Sequence, residues 1–277
     1  MESTSLSVVL PTLNEGKNLE FLVPSIIRNL KSLRNFKFEI IVVDDGSTDE
    51  TAEILDKLNS ENLINFIQRT KPPSLPMSIY EGIENAKYQN VAWLDADGSM
   101  SGDILKELVV KLIEKNESVI IGSRFVDGGG YKGIKELGKT SIYSAIKNVY
   151  NSNDSVPGMI FSTLFNQLLR YILNVNVKDI TSGFIVGNKE YFTKKVFDKS
   201  EYGEYFIYLV NDLHLNNLDI IEHGYVCETR MYGVSKTSTN ILQLIKRGIP
   251  YIRAANNCRK VQNWEFTMRT INYLQYM

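Results

Sequence analysis

The chain has 277 residues, 43% hydrophobic and 23% charged, with a formal net charge of −1; this size buries one sizeable core, and a near-neutral balance without a recognition motif argues against a nucleic-acid partner. Two cysteines, Cys227 and Cys258, show no pairing rhythm, and His214 and His223, nine residues apart on a predicted helix and strand, lack zinc-ligand spacing. No run approaches the roughly 20 apolar residues of a membrane span, and the polar start Met1-Glu2-Ser3-Thr4-Ser5 has no signal-peptide character, so the expected location is cytoplasmic, soluble or peripheral on the cytoplasmic membrane face.

Strand patterns fall at residues 6–10, 38–43, 63–67, 91–94 and 118–121, with helical patterns between them. This alternation predicts an α/β fold with a mostly parallel sheet and crossover helices. The first helix is expected over 17–33, where Leu19, Leu22, Ile26, Ile27 and Leu30 recur at helical spacing; the second starts near Thr48-Asp49, an N-cap signal. From 126 to 157 the pattern dissolves into Asp127-Gly128-Gly129-Gly130 and a mixture of Lys, Ser and Asn. That is long for an internal connection and reads either as an active-site flap or as a surface insertion.

An apolar helix over 159–173, the segment Asp179-Ile180-Thr181-Ser182-Gly183-Phe184, a helix over 205–215 and a strand through 220–228 follow. The charge is uneven: residues 229–277 hold eight Lys/Arg against Glu265, a net +7, so residues 1–228 carry −8. In this tail Ile241, Ile245, Ile249 and Ile252 share one helical face and Lys246, Arg253 and Lys260 line another, with Pro250 expected to kink the middle. Such a segment suits an anionic membrane surface, and it equally suits a helix docked on the acidic body.

Polar chemistry collects where strands end. Val91-Ala92-Trp93-Leu94 is apolar at consecutive positions, as in a strand buried on both faces, and it runs into Asp95-Ala96-Asp97. Open α/β sheets bind ligands at the carboxyl ends of their strands, and alternate residues point the same way, so the two carboxylates can share one hard divalent cation with a diphosphate. The first strand runs into Pro11-Thr12-Leu13-Asn14-Glu15 and the second into Val43-Asp44-Asp45-Gly46-Ser47, giving three clusters expected on one sheet edge. Any one of them alone reads equally as a capping turn. Together they offer carboxylates for a base and ribose beside the metal pair.

With Gly122-Ser123-Arg124-Phe125, Thr181-Ser182-Gly183-Phe184 and Arg230-Met231-Tyr232-Gly233-Val234-Ser235-Lys236, this ordered set resembles the inverting family 2 glycosyltransferases of the GT-A (nucleotide-diphospho-sugar transferase) fold, specifically the dolichyl-phosphate mannosyltransferase-like enzymes, over about residues 5–240. The resemblance implies a Rossmann-like, mostly parallel sheet flanked by helices, with residues 1–237 as catalytic domain and 238–277 as a C-terminal helical extension. It implies that Pro11, Leu13, Glu15, Val43, Asp44 and Asp45 line a nucleotide-sugar site together with Asp95 and Ala96, and that Asp97 binds Mg2+ or Mn2+. Arg124, Arg230 and Lys236 would hold phosphates, making Asp95, Asp97 and Arg124 the catalytic set.

The chain departs from the pattern at several points. Ser99 stands where family members often carry an amide that helps ligate the ion. Ser162 matches an acceptor-site serine, but the arginine expected four residues earlier is Gly158, a gap that Lys132, Lys135 or Lys139 could fill. The resulting expectation is a metal-dependent enzyme moving mannose or glucose from a nucleoside diphosphate sugar to polyprenyl phosphate, an acceptor already anionic and in need of no general base. Asp179, the one base candidate, is expected instead to order the turn before Ser182-Gly183. Transfer to a glycan or other hydroxyl acceptor, and an inactive nucleotide-sugar-binding partner protein, are the rival readings.

Overall fold

A computed structural model of the chain describes residues 5–59, 62–131, 156–228, 232 and 241–275. Strands β1 (Ser5–Thr12), β2 (Lys37–Asp44), β3 (Ile64–Gln68), β4 (Asn90–Trp93) and β5 (Val119–Ser123) form where the sequence alternation places them. A short β6 (Gly130–Tyr131) follows, then β7 (Ile185–Asn188), β8 (Ile220–Gly224) and β9 (Val226–Cys227). Seven strands make one sheet in the order β3-β2-β1-β4-β7-β5-β8, while β6 and β9 form a separate parallel ribbon. Neighbours in the large sheet are parallel except at β7, which runs antiparallel between β4 and β5.

The strands are apolar on both faces and feed two cores by strict alternation. Leu6, Val8 and Leu10 of β1, Ile40 and Val42 of β2, and Ala92 and Leu94 at β4 face one core. Helices α1 (Gly16–Lys31), α2 (Thr51–Leu58) and α4 (Gly102–Glu114) close that side with Leu19, Leu22, Val23, Ile26, Leu55, Leu105 and Leu108. Val9, Ile41, Val43, Val91 and Trp93 face the other core. That side is covered by α3 (Leu75–Glu84), α5 (Val156–Leu173), α6 (Lys194–Phe197), α7 (Tyr205–Leu215) and α8 (Ile241–Gln275). Each large side chain fully buried here contributes about 1.5–3 kcal/mol.

Two boundaries and one strand differ from the sequence expectation. Helix α2 starts at Thr51 rather than near Thr48, because Asp49 spends one carboxylate oxygen on the Thr51 N–H at 3.2 Å and the other on the N–H of Gly16, the first residue of α1, at 3.1 Å. One side chain thus tethers two helix starts. The strand expected through 220–228 breaks at Tyr225: a Cβ at Gly224 would lie 2.1 Å from the Asp127 carbonyl oxygen, so the chain passes close enough for glycine alone and turns from β5 toward β6. Strand β7, with only four residues, carries no pattern long enough to be recognised beforehand.

The basic tail is docked, at least along its first half. Ala254, Ala255 and Cys258 of α8 sit in the core beside α7, and the small side chains let the helix approach closely. The expected isoleucine stripe divides: Ile252 packs on the core, Ile249 is 40% exposed, and the side chains of Ile241 and Ile245 lie outside the described residues. Lys246, Arg253 and Lys260 are all exposed. Most of the 126–157 segment lies outside the described residues. Among the described residues no helix is long and apolar enough to cross a membrane.

Candidate active site

Because β1, β2, β4 and β5 run parallel and β7 runs against them, the carboxyl ends of the first four and the start of the fifth meet at one edge. Thr12 is level with Asp44, Val9 with Trp93, and Trp93 with Ile185. The three polar clusters predicted at strand ends are therefore neighbours.

The loops after β1 and β2 are laced together. Asn14, held in the left-handed region at φ 57°, donates its N–H to Ser47 Oγ at 2.7 Å and accepts the Thr48 N–H at 2.7 Å. Ser47 in turn donates its backbone N–H to both oxygens of Asp44, at 3.2 and 3.1 Å, and its hydroxyl to Oδ1. Gly46 takes φ 93°, a turn conformation that costs a side-chain-bearing residue strain. Asp44 and Asp45 are nearly buried at 2% and 7% exposure, and Pro11 is buried while Leu13 and Glu15 are half-exposed. Val43 packs its side chain into the core, so what it offers at this edge is backbone.

Arg69, at the end of β3, is a site residue that motif reading passed over. Its side chain is buried, with Nη1 on Asp45 and 3.2 Å from Ser78 Oγ, and Nε 3.1 Å from Glu81. The second oxygen of Asp45 accepts the Ser74 N–H at 2.7 Å, fixing the start of α3. Its signal was available: Arg69 follows β3 as the Asp pairs follow β2 and β4, a charged group at the carboxyl end of a strand.

After β4, Asp95 is half-buried, Ala96 is packed in the core and Asp97 is 7% exposed. Asp97 Oδ1 accepts the Ser99 N–H at 2.9 Å, and Gly98 at φ 78° lets the turn close. The Ser99 carbonyl accepts the Glu228 N–H at 3.0 Å, tying this turn to the segment after β9. Of the next motif, Arg230 and Lys236 lie outside the described residues. Tyr232 between them is described: its N–H donates to Asn18 Oδ1 at 3.1 Å, its carbonyl accepts from Asn18 Nδ2 at 3.2 Å, and its ring stacks on Phe21 at 5.6 Å. Asn18 also donates to Glu15 at 2.7 Å, so Tyr232 is clasped against the first strand-end cluster.

On the other flank, Arg124 is gripped by Asp179. Its Nε and Nη2 each lie 2.8 Å from a carboxylate oxygen, its backbone N–H donates to Oδ2 at 3.0 Å, and Nη2 also reaches Thr181 Oγ1 at 2.9 Å. Burial pulls the guanidinium down and the Asp179 charge more than reverses this, so its pKa moves up and the cation is permanent. Asp179 orders the turn before Ser182-Gly183 and is fully committed to Arg124 and the Thr181 N–H, at 3.3 Å. Ser162 is half-buried on α5.

Tyr205 reaches this edge from the chain's second half, and Glu204 directly precedes it. Tyr205 accepts the Trp93 indole N–H at 2.9 Å, and burial followed by the nearby Asp95 charge keeps its hydroxyl protonated far above the usual range. Glu204, 5% exposed at the start of α7, accepts the Glu201 N–H at 2.7 Å and the Tyr202 N–H at 3.2 Å. No motif announced either residue, since both arrive by tertiary packing. An open groove of about 750 Å3 runs instead between α4 and β8, lined by Asp103, Glu107, Asp127, Glu222, His223 and Glu228; none of the three strand-end clusters lines it.

Comparison with known proteins agrees with this architecture. Residues 7–197 match the model of Glycosyl transferase family 2. A dolichol-phosphate mannosyltransferase of Pyrococcus furiosus is 36% identical over 124 residues, 45% of this chain and only 34% of that protein, so the chain aligns with about a third of that relative's length. A polyprenol monophosphomannose synthase of Mycolicibacterium smegmatis is 26% identical over 83% of this chain and 80% of its own. The fold is shared with a crystal structure of glucosyl-3-phosphoglycerate synthase from Mycobacterium tuberculosis in complex with Mn2+ and uridine diphosphate, at TM-score 0.61 and 16% identity over 93% of this chain and 80% of that one. With the family match spanning most of the chain and the strand-end clusters in the order described, the chain belongs to glycosyl transferase family 2 and is a glycosyltransferase.

Proposed function

We propose that the protein transfers a hexose, mannose or glucose, from a nucleoside diphosphate sugar to polyprenyl phosphate, with inversion and with a divalent cation at Asp97. The observation that carries this reading is the convergence of Asp95 and Asp97 with the laced Asn14–Ser47–Asp44 and Asp45–Arg69 clusters on one sheet edge. Asp44 and Asp45 are held by Ser47, Arg69 and the Ser74 N–H, so acceptors for base and ribose stand in place before the donor arrives. Pro11, Leu13 and Glu15 line the same nucleotide.

The donor set fits a hard cation: Asp97, with Ser99 beside it and Asp95 two residues before it, offers oxygen ligands that suit Mg2+ or Mn2+, whose remaining positions phosphate oxygens and water would fill. When bound, the cation offsets the charge that grows on the departing diphosphate. Arg230 and Lys236 would add cations there, two residues before and four residues after Tyr232, which is fastened to α1. Arg124, expected to hold a phosphate, fixes the 179–183 loop through its ion pair with Asp179, and Ser162 would meet the acceptor. An acceptor phosphate attacks as the anion it already is, so the site needs positioning and no base. Relatives named for dolichol and polyprenol phosphates support this acceptor. In this reading residues 1–237 form the catalytic domain and 238–277 an extension that rests at the membrane.

The test is transfer of radiolabel from GDP-mannose and UDP-glucose to a short polyprenyl phosphate with Mg2+ or Mn2+. Labelled lipid that falls about 10²–10³-fold in Asp97→Ala supports the reading; donor binding without labelled lipid overturns the acceptor. A second reading, transfer to a hydroxyl, is favoured by two observations: Glu204 is a buried carboxylate one residue before Tyr205, whose hydroxyl lies near Asp95, and a poly(ribitol-phosphate) β-N-acetylglucosaminyltransferase of Staphylococcus aureus is 28% identical over 76% of this chain. Glu204→Gln separates the two: it abolishes transfer to a hydroxyl and spares transfer to a phosphate.

A further inference from the structure

The exposed surface of the α5–α8 helix pair carries large apolar and cationic side chains that no part of the catalytic edge uses. On α5, Leu164, Leu168 and Tyr171 are 60%, 46% and 84% exposed. Their spacing puts them in one row, while Leu169 and Leu173 of the same helix are fully buried and Phe165 and Ile172 pack against the core. Isolated exposed apolar residues are ordinary; a row on an otherwise well-packed helix marks a surface that meets something. Helix α8 lies alongside. Its Gly248 sits against Phe165, where an added Cβ would come within 3.0 Å of the ring, and its Tyr251 meets the same ring at 6.1 Å.

The outer face of α8 supplies charge. Lys246, Arg253 and Lys260 recur every seven residues and are exposed, with Ile249 40% and Trp264 64% exposed near them. Residues 241–264 contain five Lys/Arg and no acidic residue, whereas residues 1–228 carry −8. A molecule so polarised turns its basic face to an anionic surface and its body away from it. Leucines, a tyrosine and a tryptophan beside cations are the composition of helices that lie at a lipid headgroup layer.

We propose that this helix pair is the face on which the protein rests on a bilayer containing anionic lipid, with Leu164, Leu168 and Tyr171 entering the headgroup region and Lys246, Arg253 and Lys260 supplying the attraction. The inference deepens the lipid-phosphate reading and rests on it for its purpose: a surface-bound enzyme meets an acceptor whose phosphate lies at the same layer.

Co-sedimentation with vesicles of phosphatidylcholine mixed with phosphatidylglycerol, and of phosphatidylcholine alone, tests it. The full chain is expected to bind the mixed vesicles, less at high salt, and the neutral vesicles weakly. Lys246→Glu/Arg253→Glu/Lys260→Glu should weaken binding by roughly fivefold or more per lost charge, and Leu164→Glu/Leu168→Glu should abolish it even at low salt. Both variants change exposed positions, and circular dichroism with transfer to a short-chain soluble acceptor checks that fold and site persist. Binding unaltered in the α5 variant overturns the proposal. So does a parent that ignores vesicles, whether it sediments as a dimer broken by the α5 variant, which makes the row a contact between copies, or as a monomer, which means the chain covers the row itself. Vesicle binding without lipid labelling leaves this surface standing and removes the acceptor reading; labelling of a soluble lipid phosphate without vesicle binding does the reverse.

Discussion

The two faces of the sheet are closed in different ways. On one, β1, β2 and β4 are covered by α1, α2 and α4, helices that directly follow or precede the strands they cover, so the core there is largely local. On the other, α3 is joined by α5, α6, α7 and α8, and residues as far apart as Val9 and Cys258 share one core. The strand-end clusters, proposed to hold the donor, are tied by bonds between adjacent strand ends, such as Asn14 to Ser47 and Asp45 to Arg69. The side proposed for the acceptor draws on Asp179 before β7, Glu204 and Tyr205 at the start of α7, and Tyr251 of α8. A fold built this way would keep the proposed nucleotide site rigid and leave the proposed acceptor side adjustable through helix packing.

The sharpest way to break the donor side is Arg69→Leu. It leaves Asp45 buried without its cation, and stranding one member of a buried pair costs about 3–5 kcal/mol. Urea unfolding should show that loss, and donor affinity should fall with it, since Asp45 and the start of α3 move together. A variant that keeps full stability but loses donor binding would instead place Arg69 directly on the nucleotide.

A smaller effect is expected on the acceptor side from Gly203→Ala. The added methyl would come within 2.2 Å of the Tyr251 hydroxyl, so the side chain of this α8 residue must shift. Overpacking of this kind costs about 1–3 kcal/mol, less than the loss of the buried ion pair because a side-chain end can yield where a buried charge cannot. The kinetic prediction separates the two faces: KM for the acceptor rises while KM for the donor holds. Equal changes in both would show that the faces are coupled.

This division also explains what could be read in the sequence. The parallel strands and their Asp-rich ends were legible, because a two-face apolar run followed by a polar turn is a local signal, and the structure brings those turns together. The Arg124–Asp179 clamp was half legible: Asp179 was expected to order its turn, and it does, but that its counter-ion is Arg124 follows from β7 running antiparallel beside β5, which four residues cannot announce. Glu204, Tyr205 and Tyr251 gave no signal at all. Each is an ordinary residue on an amphipathic helix until Trp93, Gly203 and Asp95 are seen beside it. The tail was legible as an amphipathic, basic helix but not in its dual use, with one face in the core and the other exposed.

The least disruptive probe of that dual use is Cys258, on the core-facing side of α8. Burial, the largest influence, pushes its thiol up to about 12, so it stays protonated in the folded protein at any ordinary pH. In the unfolded chain the thiol ionises near its usual value of about 8.5. The folded state therefore holds a proton that the unfolded state releases, and the stability this contributes is complete below the unfolded value and declines as pH rises from there toward about 12. Urea midpoints measured at about pH 8 and about pH 10 should fall more steeply for the native chain than for Cys258→Ala, while buried Tyr205, Tyr225 and Tyr251 affect both alike. A thiol reagent at the lower pH should react with Cys258 only as α8 leaves the core. Fast labelling of the folded protein at that pH, or equal slopes in the two chains, would mean that this half of α8 opens readily. The acceptor side would then be mobile where the donor side is fixed, and the contrast between the two faces would be one of dynamics as well as of construction.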